Sequence, residues 1–158
     1  MNSLAVIWSC GGLLFSTATE SVIEVLSPVS PTPAPGAPAW LLGLFDYRGK
    51  LIPLVRVSEL LGRERAADRM SNRVLVVKAD LGADFRQCPV GLWVDHIVEL
   101  ERPDFGTAHP GFAVPGADFL GAVVQTKFGQ VREVRAGNLF TAEQIELLAG
   151  RLRDRGAA

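Results

Sequence analysis

At 158 residues the chain is long enough for one domain or two small subdomains, and folding can remove roughly 70% of its unfolded-chain surface from water. A formal net charge of -1 and a pI near 6.1 give no basic face for nucleic acid or an anionic membrane. The two cysteines, Cys10 and Cys88, are far apart and lack metal-type spacing; they fit a reducing compartment, although sequence leaves a single bridge open.

In chain order, Leu4 to Ser9 reads as a strand, Gly11-Gly12 as a tight turn and Leu13 to Phe15 as the returning strand. The apolar opening from Leu4 to Trp8 is too short to span a bilayer, and it lacks the cationic start of a signal peptide. Val22-Ile23-Glu24-Val25-Leu26 is an apolar run broken by one carboxylate. Glu24 is either a strand's solvent face or a charge kept for a partner. From Pro28 to Pro38 the chain holds half of its ten prolines, so this stretch is an extended loop, stiffened toward polyproline geometry.

Leu41 to Phe45 and Leu51 to Val57 are two apolar runs around the polar turn Asp46-Tyr47-Arg48-Gly49-Lys50, the pattern of a β-hairpin whose strands face a core. Gly49 can take a positive φ cheaply, and Arg48 beside it is displayed at the surface. A lone turn arginine is ordinarily only solvated. Ser58 to Gly62 predicts one helical turn with Ser58 as its cap, and Arg63 to Arg69 a surface connector. Arg73 to Lys78 and Pro89 to Val94 read as strands, Val94 to Leu100 as a strand with a bend, and Gly106 to Asp118, with three glycines and two prolines, as a long loop. Phe119 to Val124 and Gln130 to Arg135 form a last hairpin around Phe128-Gly129. Thr141-Ala142-Glu143-Gln144 is a capping box opening a helix, with Ile145, Leu148 and Leu152 on one face and Arg151, Arg153 and Arg155 near its end. The order Leu-Gly, turn glycine, strand and a final apolar pair occurs from Leu42 to Leu61 and again from Leu120 to Phe140, which suggests two related β-units. Many short strands with glycine turns point to small barrels.

Catalysis finds poor material. Cys88, Asp95, His96 and His109 are the usual side chains for a nucleophile, base and orienter, but Asp95 and His96 are neighbours that point to opposite faces of a strand. Two histidines without a carboxylate cluster make a poor metal site, and no glycine motif cradles a phosphate. No enzyme activity, metal or cofactor is expected.

The run from Val22 to Leu26, the proline loop, Leu42 to Val55 and then Val90-Gly91-Leu92-Trp93-Val94-Asp95-His96-Ile97 together resemble the CheW-like coupling proteins of bacterial chemosensory systems. The glutamate before the proline loop and the Arg-Gly turn after it are the most specific element. The resemblance implies a mainly β fold of two side-by-side five-stranded SH3-like barrels with a short C-terminal helix. It implies one domain over 1–153: a first subdomain near 12–66, a second near 67–140 that includes the N-terminal strand 4–10, a helix at 141–153, and a tail at 154–158. It also implies a cytoplasmic adaptor, without catalysis, between the regulatory domain of a CheA-type histidine kinase and the cytoplasmic tips of methyl-accepting chemoreceptors, with no nucleic acid and with membrane proximity only through the receptors. Glu24 and Arg48 match the family's paired charges. Val22, Gly43, Gly49 and Val90 match positions lining or shaping a groove for the receptor's helical hairpin, with plain core as the equal alternative for the two valines.

Two departures stand out. Arg56 occupies a place where the family commonly has an acidic residue, and Arg132-Glu133-Val134-Arg135 replaces an acidic and apolar pattern in the last strand. These point to a specialised member, serving surface sensing, pili-based motility or gene control, or to a chain that binds one partner only. The alternative is an SH3-like or OB-like binding module for another protein or a nucleic acid.

Overall fold

The computed structural model describes residues 4–63, 67–111 and 118–155. Its strands are β1 (Ala5–Cys10), β2 (Leu13–Ala18), β3 (Val22–Leu26), β4 (Leu41–Tyr47), β5 (Lys50–Arg56), β6 (Arg73–Ala79), β7 (Cys88–Val94), β8 (His96–Glu101), β9 (Asp104–His109), β10 (Leu120–Thr126) and β11 (Gly129–Val134), with helices α1 (Val57–Leu60) and α2 (Ala142–Arg155). They form a six-stranded sheet, in the order β8-β1-β2-β11-β10-β9, and a five-stranded sheet, in the order β3-β6-β7-β5-β4. The fold is mainly β, as expected, but one sheet has six strands where five were implied. The extra strand is β9: Gly106 to His109, expected in a loop, pairs with β10 instead, while 112–117 lie outside the described residues.

β8 and β9 are consecutive in the chain and yet occupy the two edges of their sheet. Laid flat, six strands would hold those edges about 24 Å apart, whereas the step from Glu101 to Asp104 spans at most about 11 Å. The sheet is therefore rolled. The five-stranded sheet takes β3 to β7 as one block, so the boundary drawn near 66 falls inside it, and β2, placed in the first subdomain, pairs with β1 and β11 in the other sheet.

Alternation along the strands builds the core. On β6, Val74 and Val76 pack with Phe45, Ile52 and Leu54 within the five-stranded sheet, while Leu75 and Val77 face a larger cluster. On β1, Ile7 joins Val124 and Val131 within the other sheet, while Val6, Trp8 and Cys10 enter that same large cluster. Successive side chains of a strand point to opposite faces, so each sheet feeds its own interior and a shared one. Leu148 and Leu152 of α2 pack into the shared cluster too. The hairpin echo also holds: β4-β5 and β10-β11 each carry a register shift near their Leu-Gly pair, and β5 and β11 each then pair in parallel with a strand of their own sheet.

Two local expectations change. The first helix begins at Val57, and its N-cap position is Arg56 with no side-chain bond, so Ser58 lies inside the turn and does not cap it. The second helix runs to Arg155, past the expected end at 153. Its capping box is formed: Thr141 N donates to Gln144 Oε1 at 2.9 Å and Gln144 N to Thr141 Oγ1 at 3.3 Å. Among the described residues no helix is long and apolar enough to cross a membrane.

Candidate partner-binding site

The β4-β5 hairpin closes on two residues, with Tyr47 opposite Lys50. Arg48 has φ 54° and Gly49 φ 82°, the left-handed pair of a type I′ turn, whose twist suits the flanking strands. The sequence pointed to Gly49 alone for a positive φ; Arg48 takes one as well. Asp46 Oδ1 accepts from Gly49 N at 2.8 Å and ties the turn to its strand.

Glu24 lies on β3, at the opposite edge of the same sheet. Its Oε1 accepts from Tyr47 Oη at 2.6 Å and from Arg48 Nη2 at 2.8 Å, and the Arg48 guanidinium lies 5.1 Å from the centroid of the Tyr47 ring. Loss of solvation, and after it the bond to Glu24, holds the Tyr47 phenol above its ordinary pKa. The Arg48 side chain is 70% exposed and that of Glu24 36%, so the ion pair contributes only ~0–1 kcal/mol. What it fixes is the position of a cation on a strained, rigid turn.

A bulge aims Glu24. Val22 pairs with Val77 and Glu24 with the adjacent Val76, so the alternation along β3 is interrupted. Val22 packs, half buried, against the shared core. Gly43 has φ 142°, and a Cβ there would stand within 2.1 Å of Thr32 O. That space is taken by the proline segment, whose Thr32 pairs with Leu44 through bonds of 2.7 and 3.0 Å. Gly43 therefore lets the proline segment lie on β4. Gly49 is exposed, with nothing within 4 Å of a Cβ. Val90 is fully buried in the shared core, where it forms no part of a surface. The structure thus brings Glu24, Arg48 and Gly49 together, sets Val22 and Gly43 beside them along the same two edge strands, and leaves Val90 inside.

Sequence reasoning missed Tyr47 and Asp46. Tyr47 is legible only as a polar tip among apolar strand residues, since its partner is 23 positions away. Three of the enzyme-like side chains are otherwise engaged, and His109 is exposed. Cys88 is buried, Asp95 Oδ2 accepts from Gly11 N at 2.9 Å, and His96 Nδ1 lies 3.0 Å from Ser9 Oγ. Among the described residues no group of three or more histidine, cysteine or carboxylate side chains is placed to hold a metal ion.

A family model for the CheW-like domain matches residues 5–138. The chain is 37% identical over 68 residues to Protein PilI of Pseudomonas aeruginosa, a match covering 43% of this chain and 38% of that protein. It is 33% identical over 86 residues to Chemotaxis protein CheW of Rhizobium meliloti, covering 54% and 52%. The matched stretches span about half the length of these relatives, or less. The crystal structure of scaffolding protein TtCheW from Thermoanaerobacter tengcongensis superposes with a TM-score of 0.74 at 24% identity, covering 87% of this chain and 91% of that one; it shares the fold. A rolled pair of sheets, an edge glutamate bound to an Arg-Gly turn and a match running through nearly the whole chain lead to one conclusion: the chain belongs to the CheW-like domain family.

Proposed function

We propose that this chain is a cytoplasmic signalling adaptor that couples the cytoplasmic tips of chemoreceptors to the regulatory domain of a CheA-type histidine kinase. The family match over residues 5–138 carries this reading. The turn at Arg48, held by Glu24 and Tyr47, supports it as a preformed surface of fixed charge. Val22, Glu24, Gly43, Arg48 and Gly49 make up the contact region, with Val90 supporting it from the core. A pathway outside flagellar chemotaxis fits the relative named PilI.

The adaptor works by shape. The Arg48 turn is held in place before binding, so little ordering cost is added at the contact, and a displacement of the receptor reaches the kinase through the sheets. Calorimetric titration with the regulatory domain of each CheA-type kinase of the source organism tests this. Micromolar binding to one of them, weakened by Arg48→Glu with the fold intact, is the expected result. No binding to any kinase domain or receptor tip would overturn it.

A further inference from the structure

Burying a guanidinium while leaving one of its donors unfilled is costly, and Arg56 does this. Only 7% of its side chain is exposed. Nη1 reaches one oxygen of Asp68 at 3.2 Å, the guanidinium lies 5.7 Å from the Trp93 ring centroid, and Nε is buried without a hydrogen-bond partner. A planar fork suited to two parallel bonds with a carboxylate therefore holds one long bond.

Beside it is a cavity of about 390 Å³ that opens to solvent. Pro28, Val29, Pro31, Leu42 and Trp93 give it apolar walls, and among the described residues Arg56 and Asp68 are the charged ones lining it. Trp93 is set against Arg56 by the parallel pairing of β5 with β7. The proline wall is fixed by the Thr32–Leu44 pair and by Arg151 Nη2, which donates to Pro35 O at 2.9 Å. Its shape is therefore set before anything binds.

We propose that this cavity binds an acidic side chain of a partner polypeptide, a glutamate or aspartate flanked by apolar residues. The carboxylate pairs with the Arg56 guanidinium, whose Nε has no partner, and the apolar neighbours lie on Trp93 and the prolines. Asp68, half exposed, competes for the same guanidinium from within the chain. The inference rests on the adaptor reading only in taking the ligand to be a polypeptide, and its test needs neither kinase nor receptor.

The test is nuclear magnetic resonance of the full isotope-labelled chain, following the Trp93 indole N–H and the Arg56 Nε–H. The probes are the peptide acetyl-Ala-Leu-Glu-Leu-Ala-amide, its glutamine twin, and sodium butyrate. The glutamate peptide should shift both signals saturably in the millimolar range, the glutamine twin should not, and butyrate should bind more weakly than the peptide. Arg56→Met should abolish the shifts. Asp68→Asn, which keeps Arg56 in place and removes only the competing carboxylate charge, should tighten the peptide several-fold, and it serves as the deciding variant should Arg56→Met fail to fold. Equal response to the glutamate and glutamine peptides, no saturable shift, or no tightening in Asp68→Asn would overturn the proposal, and butyrate binding as tightly as the peptide would overturn the polypeptide source. Because kinase titration is a separate measurement, failure here leaves the adaptor reading standing, and the reverse also holds.

Discussion

Tyr47 and Glu24, 23 positions apart, share a 2.6 Å hydrogen bond across the two edge strands of the five-stranded sheet. No backbone ladder joins β3 to β4 in the strand order; a side-chain bond ties these edges together. A hydrogen bond to a carboxylate is stronger than one between neutral groups, so Tyr47→Phe should lower the unfolding free energy by about 1–2 kcal/mol. Urea denaturation would show this as an earlier midpoint, and an unchanged midpoint would mean that the bond is replaced by water at no cost.

Arg48 sits in a conformation that asparagine and glycine tolerate far better. Replacing it by asparagine creates an Asn-Gly pair in a type I′ turn and removes an ion pair worth little, so Arg48→Asn should be as stable as the parent or more stable by up to about 1 kcal/mol. The same variant should bind the kinase domain or receptor tip more weakly. A protein that keeps its affinity after this change does not use the arginine for recognition.

The glycines at 43 and 49 separate space from strain. At Gly43 a methyl group collides with Thr32 O, so Gly43→Ala should cost more than about 2 kcal/mol and expose the Thr32 and Leu44 amides to hydrogen exchange. Gly49 has open space around it. Gly49→Ala should cost only about 1 kcal/mol, the penalty of the left-handed backbone, and leave those two amides protected.

Alkaline pH tests the core. Burial, with a further push from the Asp95 carboxylate, raises the Cys10 thiol from its ordinary 9.0 to about 12. A thiol whose pKa is higher when folded contributes its full stabilisation below pH 9, and that contribution is lost as pH climbs from 9 toward 12. Stability should therefore fall across this window, and the fall should be shallower in Cys10→Ala. Below pH 9 both cysteines should resist thiol reagents, being buried.

The hairpins were legible because apolar runs, turn glycines and the Thr141–Gln144 box are local signals, and the structure honours each of them. β9 was not, since Asp-Phe-Gly-Thr-Ala-His lacks alternation and its pairing depends on β10, a segment that comes later in the chain. Ser58 misled because a serine at a helix start is a cap only if the backbone turns after it; here the turn begins one residue earlier. At the site, Glu24 and Arg48 were legible as a pair of charges, whereas Tyr47 was not, because what joins them is the meeting of two sheet edges. For Val90 the sequence allowed groove or core, and complete burial decides for core.

Because Trp8 and Phe15 of one sheet, Leu75 and Val90 of the other, and Leu148 of α2 all belong to a single apolar cluster, the two halves have no slip plane between them. Sliding one past the other would open voids throughout a close-packed interior. A push at the Arg48 turn is therefore delivered to the far side of the six-stranded sheet as a displacement of the whole body, with no hinge among the described residues to absorb it.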